Sequence, residues 1–257
     1  MRLYKPHELL EELGITEPDE IDLEAIAAHV GATVIAEALA GVEATLVGAG
    51  ERAIITVSAS SSAPRQRFSI GHELGHWMHD RGRAQFSCSE RAQNGSFLSS
   101  DPESLANRYA TELLLPEYMV KPRLAKQPLT LNTVQALAAT FNVSMTATAL
   151  RVVELGMWPA MAVCYSKDKR LWFKRGHEVP NKIWPVRALS EDSIAFDLLT
   201  DAGSMSGSDE VDADAWIDSP DAGDYSVVES SFKVTRDLVV SLIWWKDQAQ
   251  LVALEED

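Results

Sequence analysis

The apolar positions in the first sixty residues predict a short helix at 6–13, then a clear helix and three short strands. Apolar side chains recur at the spacing of a single helix face at Leu23, Ile26, Ala27 and Val30. Asp22 can cap this helix, and Gly31 can end it. Runs of β-branched residues then predict strands at 33–37 and 52–58, with a further strand beginning at Leu46.

The apolar pattern between residues 121 and 158 predicts two helices joined by a short turn. The first helix spans 130–141 and the second spans 145–155, with Ser144 as its cap. This is the spacing of a helix-turn-helix, in which the second helix would enter a groove of DNA. That helix carries one arginine and one glutamate, which is little charge for contacting DNA. A packing or protein-docking role is therefore favoured over direct DNA binding.

Alternation of apolar and polar positions in the last hundred residues predicts an antiparallel sheet. Strands are predicted at 161–165, 170–174, 226–234 and 239–245. The segment 194–199 fits either a short helix or a strand. We therefore expect a small α+β module after Trp158, where the chain passes into this pattern.

The charge of the chain is acidic and unevenly distributed. With 38 acidic and 23 basic residues the formal net charge is −15, and residues 191–229 hold twelve acids and no lysine or arginine. Phosphate contacts need clustered basic side chains, so this charge argues against unaided binding to nucleic acid. The run 209–224 has three interpretations: a solvated acidic loop, a calcium site, or a mimic of the charge of DNA. The solvated loop is favoured, because the run fits no EF-hand pattern.

The spacing of the cysteines and the length of the apolar runs indicate the cellular compartment in which the protein works. Cys88 and Cys164 lie far apart and fit no metal-ligand spacing, so no disulfide framework is expected. No apolar run reaches the about 18 residues of a membrane helix, and the first residues are too acidic for a signal peptide. We therefore expect a cytoplasmic protein with no membrane partner. Cys88 lies in a predicted polar loop, 82–100, where an inert thiol is favoured over a redox switch.

The residues that carry chemistry form an H-E-x-x-H motif made by His72, Glu73 and His76. Residues four apart lie on one helix face, so both histidines can point an imidazole at the same metal ion. Glu73 would handle protons on a water bound to that ion. The motif also occurs by chance in helices that bind no metal, but its apolar surroundings favour a metal, because buried polar groups need partners. Gly71 and Gly75 are poor helix formers and indicate that something approaches this helix closely.

A catalytic zinc usually takes three protein ligands and a water, so a third ligand is needed. Glu103 is the best candidate, in a second predicted helix that begins near Pro102 and closes at Pro116. Asn107 shares its face one turn later and is a candidate for orienting a histidine from behind. The alternative for Glu103 is a carboxylate that only stabilises a helix N-terminus. His79 is a candidate for a similar supporting role, although a partly exposed histidine is the favoured interpretation.

These two segments resemble the ImmA/IrrE family of metallopeptidases. The similarity is carried by Arg67-Phe-Ser-Ile-Gly-His-Glu-Leu-Gly-His and by Glu103-x-x-Ala-Asn-Arg-Tyr-Ala-Thr-Glu-Leu-Leu-Leu-Pro. The resemblance implies a gluzincin-like site with His72 and His76 as zinc ligands, Glu73 as general base and Glu103 as third ligand. The family often has a further histidine four residues after the second ligand, where this chain has Asp80.

The resemblance also implies a substrate class. Members of the family are implicated in cutting helix-turn-helix repressors, which releases stress-response or mobile-element genes. We therefore expect a zinc-dependent endopeptidase whose protein partner is a repressor of this XRE type, with manganese or iron as alternative metals. The alternative is a regulatory or antitoxin-like binding protein that keeps the zinc fold and cuts nothing. The presence of Glu73 argues against that alternative, because a purely structural site needs no such carboxylate.

The expected fold is α+β in three parts. Residues 1–120 would form a zincin-like peptidase domain with a small sheet and the motif helix. Residues 121–158 would form the helix-turn-helix-like segment, and 159–257 the C-terminal α+β module. Some members of the family carry a GAF-like sensor domain at this position, so the resemblance implies a reduced sensory or regulatory module.

Overall fold

The computed structural model describes residues 4–80, 86–90, 102–200 and 203–256. The chain forms two compact units that divide it in an interleaved way. The N-terminal unit comprises Met1–Arg123 and Leu137–Ser144, and the C-terminal unit comprises Leu124–Ala136 and Met145–Asp257. Both units combine helices with a sheet, so the predicted α+β class is confirmed. The predicted three-part division at residues 120 and 158 stays a prediction.

The elements of the first half follow one another in short succession. They are α1 Pro6–Glu12, α2 Leu23–His29, β1 Ala32–Glu37, β2 Ala44–Ala49, β3 Arg52–Ser58, α3 Ala63–Asp80, β4 Phe86–Glu90, α4 Pro102–Leu114 and α5 Glu117–Leu124. The Asp22 carboxylate accepts hydrogen bonds from two backbone N–H groups at the start of α2, as its capping position predicted. Asp101 directly precedes Pro102 at the predicted start of the second motif-bearing helix, and it lies outside the described residues.

A four-stranded sheet in the order β1-β3-β2-β4 supports the N-terminal unit. β1 runs parallel to β3, and β2 is antiparallel to both β3 and β4. α3 packs on one face, where Leu46 and Ile55 are buried with Leu74 of the helix. The Trp77 indole donates to the Val30 carbonyl at 2.8 Å, which fixes α3 against the end of α2. This packing holds the motif helix rigidly against the sheet.

Five residues of the predicted polar loop 82–100 form a strand, and the rest of that loop lies outside the described residues. Residues Phe86–Glu90 form β4 and pair with β2, with Cys88 opposite Leu46. Serine and glutamate obscured this strand in the sequence, because they carry little of the apolar alternation that marks a strand. The prediction of an inert Cys88 thiol concerns a side chain outside the described part of the structure.

The elements of the second half begin with two helices. They are α6 Leu131–Phe141, α7 Met145–Leu155, β5 Ala160–Ser166, β6 Arg170–Arg175, α8 Ile194–Thr200, β7 Ser206–Asp212, β8 Ser226–Thr235, β9 Leu238–Trp244 and α9 Gln248–Glu256. Asn142, with a φ of 50°, ends α6, and α7 begins three residues later. Among the described helices no single one has the length and composition to cross a membrane, although the bent pair α6 and α7 passes by those criteria alone.

The C-terminal unit is built on a five-stranded antiparallel sheet in the order β6-β5-β9-β8-β7. Its core surrounds Tyr165, Trp216 and Trp245, all buried, with α8 and α9 contributing leucines. The predicted strands of this module are present, and the ambiguous segment 194–199 is a helix. β7 was missed, because its aspartates and glutamate are residues that strands usually avoid. All seven carboxylates of the run 209–224 are exposed, in agreement with the solvated interpretation.

A buried carboxylate lies at the centre of this unit. Glu229 on β8 has no solvent exposure, and burial raises its pKa, while the hydrogen bonds it accepts act in the opposite direction. One carboxylate oxygen accepts from the Ala195 backbone N–H at 2.7 Å and from the Ser231 hydroxyl at 2.6 Å. The other accepts from the Ile194 backbone N–H at 3.1 Å and from the Trp216 indole at 2.8 Å. The side chain therefore joins the start of α8 to the sheet and the core.

Replacing Glu229 by glutamine should destabilise the C-terminal unit. Each carboxylate oxygen accepts two hydrogen bonds, whereas an amide NH₂ group accepts none, so two buried donors lose their acceptor. Each unsatisfied donor costs about 1–3 kcal/mol. Urea unfolding at neutral pH, followed by tryptophan fluorescence, measures the loss. An unchanged unfolding midpoint would contradict this role for the carboxylate.

The original protein and Glu229→Gln should also differ in how their stability depends on pH. Burial raises the folded-state pKa of Glu229 above its ordinary value of 4.5. The contribution of this raised pKa to the free energy of unfolding is therefore fully present below pH 4.5. That contribution is lost as the pH rises through the raised pKa. The difference in free energy of unfolding between the original protein and Glu229→Gln should therefore shrink over this interval without vanishing. At neutral pH the part that remains comes from the hydrogen bonds that the carboxylate accepts and the amide cannot. A difference that stays constant across the interval would show that burial does not control this titration.

Candidate metal centre

The H-E-x-x-H residues occupy the middle of α3, as the motif predicted. His72 and His76 lie one turn apart, and their Nε2 atoms are 3.1 Å from each other. Both imidazoles are buried, with exposed fractions of 1% and 4%. Two histidine nitrogens held at this distance in the interior point toward one common position, which is the geometry that a shared ion requires.

Glu103 reaches the same position from α4. One carboxylate oxygen lies 3.3 Å from the His72 Nε2 atom, and the other lies 3.3 Å from the His76 Nε2 atom. The ligand atoms of all three residues lie within 4.8 Å of one another, and within the described parts of the chain they are the one such group. The Glu103 side chain is 39% exposed, so the site opens to solvent on the side of α4.

Glycine on α3 makes this approach of α4 possible. A Cβ atom at Gly75 would lie 2.8 Å from the Ala106 Cα atom and 3.0 Å from the Tyr109 Cβ atom. A Cβ atom at Gly71 would lie 3.2 Å from the Cα and Cβ atoms of Ala110. The prediction that something closely approaches these glycines is therefore explained by the backbone of α4.

Asn107 contacts the His72 ring at its Nδ1 atom, whereas the Nε2 atom of that ring faces Glu103. Its side-chain Oδ1 atom lies 2.9 Å from the His72 Nδ1 atom. An amide oxygen can only accept, so Nδ1 donates, and the lone pair of Nε2 is left to face the other ligands. This contact sets the tautomer that metal binding requires. The structure thus places Asn107 in contact with His72, and its role in orienting that histidine stays a prediction.

The donor set fits a divalent cation such as zinc. It offers two imidazole nitrogens and a carboxylate oxygen, and three protein ligands leave a fourth position for water. Ligands bound at 2.0–2.1 Å around a tetrahedral ion lie about 3.3 Å apart. The observed separations of 3.1 Å and 3.3 Å match that value. The residues present therefore suit the ion that the motif implies.

The other two predicted residues differ in their surroundings. Glu73 follows His72 on α3 and is completely buried, although it does not belong to the three-ligand group. His79 lies in the last turn of α3 and is exposed, and it does not belong to that group either. Its surroundings agree with the favoured interpretation of a partly exposed histidine.

Two residues next to the centre were missed in the sequence. The Phe68 ring lies 6.3 Å from the His72 ring, one turn earlier on the same face of α3. The Arg65 guanidinium lies 5.7 Å from the centre of the Phe68 ring and pairs with Glu43 at 3.4 Å. Their helical spacing relative to His72 was the available signal. The ion pair with Glu43 depends on the sheet and could not be read from the helix alone.

Two histidines one turn apart and a carboxylate from a facing helix form the ligand set of the H-E-x-x-H metallopeptidase class. Residues 27–153 match the family model Peptidase_M78, described as the IrrE N-terminal-like domain. The match confirms the predicted resemblance to the IrrE-like peptidases. It supports a metallopeptidase in a regulatory context.

The comparison with solved structures supports the fold. A Mycobacterium tuberculosis transcriptional regulator superposes with a TM-score of 0.60 at 12% sequence identity, covering 97% of this chain and 88% of that chain. At this identity the likeness concerns the fold alone. A search of curated proteins finds no match.

The contact between the two helices should control metal affinity. Alanine at Gly75 would force the α4 backbone away, and Glu103 with it, so we expect zinc to bind at least about ten-fold more weakly. Alanine at Gly71 meets a looser contact and is the matched control, with a much smaller expected loss. Zinc affinity can be measured by competition with a chromophoric chelator. Equal affinities in both variants would refute this role of the glycine.

Proposed function

We propose that the chain is a zinc-dependent endopeptidase that cleaves a helix-turn-helix repressor of XRE type and so derepresses stress-response or mobile-element genes. The observation that carries this proposal is the convergence of His72, His76 and Glu103 beside the buried Glu73. This convergence occurs inside the segment that belongs to Peptidase_M78. The zincin-like, gluzincin-type description of the site is part of the same proposal.

The chemistry follows from the positions of the side chains. A divalent ion held by the three ligands would acidify a water molecule and polarise the carbonyl of the scissile peptide. Glu73, adjacent to His72 on α3, would accept the proton of the attacking water and then donate it to the leaving amine. Asn107 holds the His72 ring in the ligating tautomer throughout. The same ligand types accept manganese or iron, so zinc is proposed as the first of several possible metals.

The substrate is proposed to bind in extended form along the N-terminal sheet. The described strands leave β1 and β4 as the edges of that sheet, and β4 follows the motif helix in the chain. An edge strand offers unpaired backbone groups that an extended segment can pair with. We infer that β4 is the edge that presents the substrate, because it is the edge strand nearest in sequence to the ligands.

The charge of the chain supports a DNA-binding protein as the substrate. A repressor must carry basic side chains where it contacts phosphates, and a net charge of −15 attracts such a surface. Direct binding of this chain to DNA is not supported by α7. Its arginine, Arg151, is only 5% exposed and pairs with Glu154 at 3.2 Å. The helix is therefore proposed to serve packing, and the partner is proposed to be a protein in the cytoplasm.

The C-terminal unit is proposed to act as a reduced GAF-like sensory or regulatory module. Its five-stranded antiparallel sheet and the helices α8 and α9 support that assignment. The second candidate function is a regulatory or antitoxin-like binding protein that cuts nothing. The structural neighbour is named a transcriptional regulator, and a regulatory context fits either candidate. The two candidates differ in the role of Glu73 and can be separated by the experiments below.

Metal content tests the ligand set. The purified protein should hold about one zinc per chain, and His76→Ala and Glu103→Ala should each lose or weaken it, because three protein ligands are shared. Mass spectrometry of the native proteins measures the metal. Retention of full metal in Glu103→Ala would place the third ligand elsewhere in the chain. No metal after zinc is supplied would overturn the peptidase proposal.

Cleavage tests the catalytic proposal. We expect the zinc-loaded protein to cut a candidate helix-turn-helix repressor and Glu73→Gln to lose at least about 100-fold in rate, the scale of general acid–base catalysis. Gel electrophoresis and mass spectrometry of the products measure the reaction. Glu73→Gln should still bind zinc, which separates lost chemistry from lost metal. Cleavage by Glu73→Gln at the original rate would reject its role. Repressor binding without cleavage would favour the binding-protein candidate.

A further inference from the structure

One segment of this acidic chain is strongly basic. Residues 167–187, here called the basic edge, contain seven of the 23 lysines and arginines and two of the 38 acids. The basic edge therefore carries a formal charge of +5, while the rest of the chain carries −20. Charge separated in this way along a sequence indicates a surface with its own partner.

The fold places the basic edge along β6, an edge strand of the C-terminal sheet. Lys167 and Lys169 lie in the turn that enters β6 and are exposed. Lys182 and Arg187 lie in the segment that follows the strand and are also exposed. The basic side chains thus surround a single strand within the C-terminal unit.

Hydrogen bonds hold this surface in a fixed shape. The Arg170 guanidinium donates to the carbonyl of Pro185. The backbone N–H of Arg170 donates to the Arg187 carbonyl at 3.0 Å. The Arg175 guanidinium donates to the Ile183 carbonyl. Both arginines therefore tie the segment after β6 to the strand. A preorganised surface loses little conformational entropy when a partner binds.

Aromatic rings stack with the cations of the basic edge. The Arg170 guanidinium lies 4.9 Å from the centre of the Phe173 ring, and the Arg175 guanidinium lies 5.1 Å from the Trp184 ring. The Phe173 and Trp184 rings meet edge to face at 5.4 Å. Trp184 ends this stack and is 49% exposed. Exposed tryptophan beside cations is typical of a binding surface.

Most cations of the basic edge form no ion pair with a carboxylate. Among the described residues six of its seven bases form no ion pair with a carboxylate: Lys167, Lys169, Arg170, Lys174, Arg175 and Arg187. Elsewhere in the described chain Lys121, Arg123 and Lys246 pair with glutamates. In a chain with an excess of carboxylates, a surface whose cations mostly form no such ion pairs is complementary to an anionic partner.

We propose that the basic edge docks an acidic segment of a partner protein, with an apolar side chain of that segment against Trp184. The six residues of β6 span about 20 Å, so the favourable field is short. A short acidic segment can keep all of its carboxylates within the positive potential of the basic edge. A nucleic acid strand carries charge along its whole length and extends into the field of the remaining −20. The proposal is independent of the peptidase function.

Fluorescence anisotropy of the full chain at low salt tests the docking. The probes are a short labelled glutamate-rich peptide containing leucines, the same peptide with serines for leucines, and an oligothymidylate of equal length. We expect the leucine peptide to bind. Combined Lys167→Glu, Lys169→Glu and Arg187→Glu should weaken it by about ten-fold or more, since three exposed contacts are reversed.

The matched control reverses three exposed bases outside the basic edge. Combined Lys5→Glu, Arg52→Glu and Lys126→Glu changes the net charge equally and should alter affinity by less than about two-fold. Equal losses in both variants would reduce the effect to overall charge and overturn the proposal. Absence of binding by the peptide would also overturn it. Tighter binding of the oligothymidylate, lost in the same variant, would replace the proposed partner by a nucleic acid.

Trp184→Ala tests the apolar contact separately. This substitution should weaken binding of the leucine peptide by about five-fold or more and leave binding of the serine peptide unchanged. The reason is that only leucine buries apolar surface against the tryptophan ring. Circular dichroism shows whether the variant is folded. A folded variant that binds the leucine peptide as tightly as the original protein would overturn the assigned contact with Trp184.

Discussion

The metal centre depends on how closely α4 approaches α3. Gly75 leaves no side chain between the two backbones, and Ala106 is the residue that occupies the gap. Glu103 and Asn107 lie on either side of Ala106 in α4, so the same contact brings one to the ligand position and the other behind the His72 ring. A ligand from a distant segment can be aligned to a fraction of an ångström only when the helices that carry it are in van der Waals contact.

Both units bury ionisable groups, and the way each group is satisfied distinguishes a site from a structural element. In the C-terminal unit four donors surround the Glu229 carboxylate, so its oxygens are fully engaged within the protein. In the N-terminal unit the buried imidazoles turn their Nε2 atoms toward Glu103, which is itself partly exposed. A saturated network stabilises a fold, whereas donor atoms that converge at a solvent-facing opening suit an exchangeable ion.

Charge divides the chain differently from its folded units. The acidic excess covers most of the sequence, while the basic edge follows one strand of the C-terminal sheet. Opposite charges on separate surfaces allow two partners to bind without competing for one patch. The two proposals accordingly assign an acidic partner to the basic edge and a basic substrate to the candidate metal centre.

The sequence by itself determined the features that depend on neighbours along the chain. The four-residue spacing places His72 and His76 on one face of a helix, and capping and β-branched runs located α2, β1 and β3, because these signals are local. Only the tertiary structure decided that Gly75 accommodates Ala106, that residues 86–90 pair as an edge strand, and that the acidic run begins within β7. Those features arise from contacts between distant segments, whose free energy comes from packing and pairing that no local pattern records.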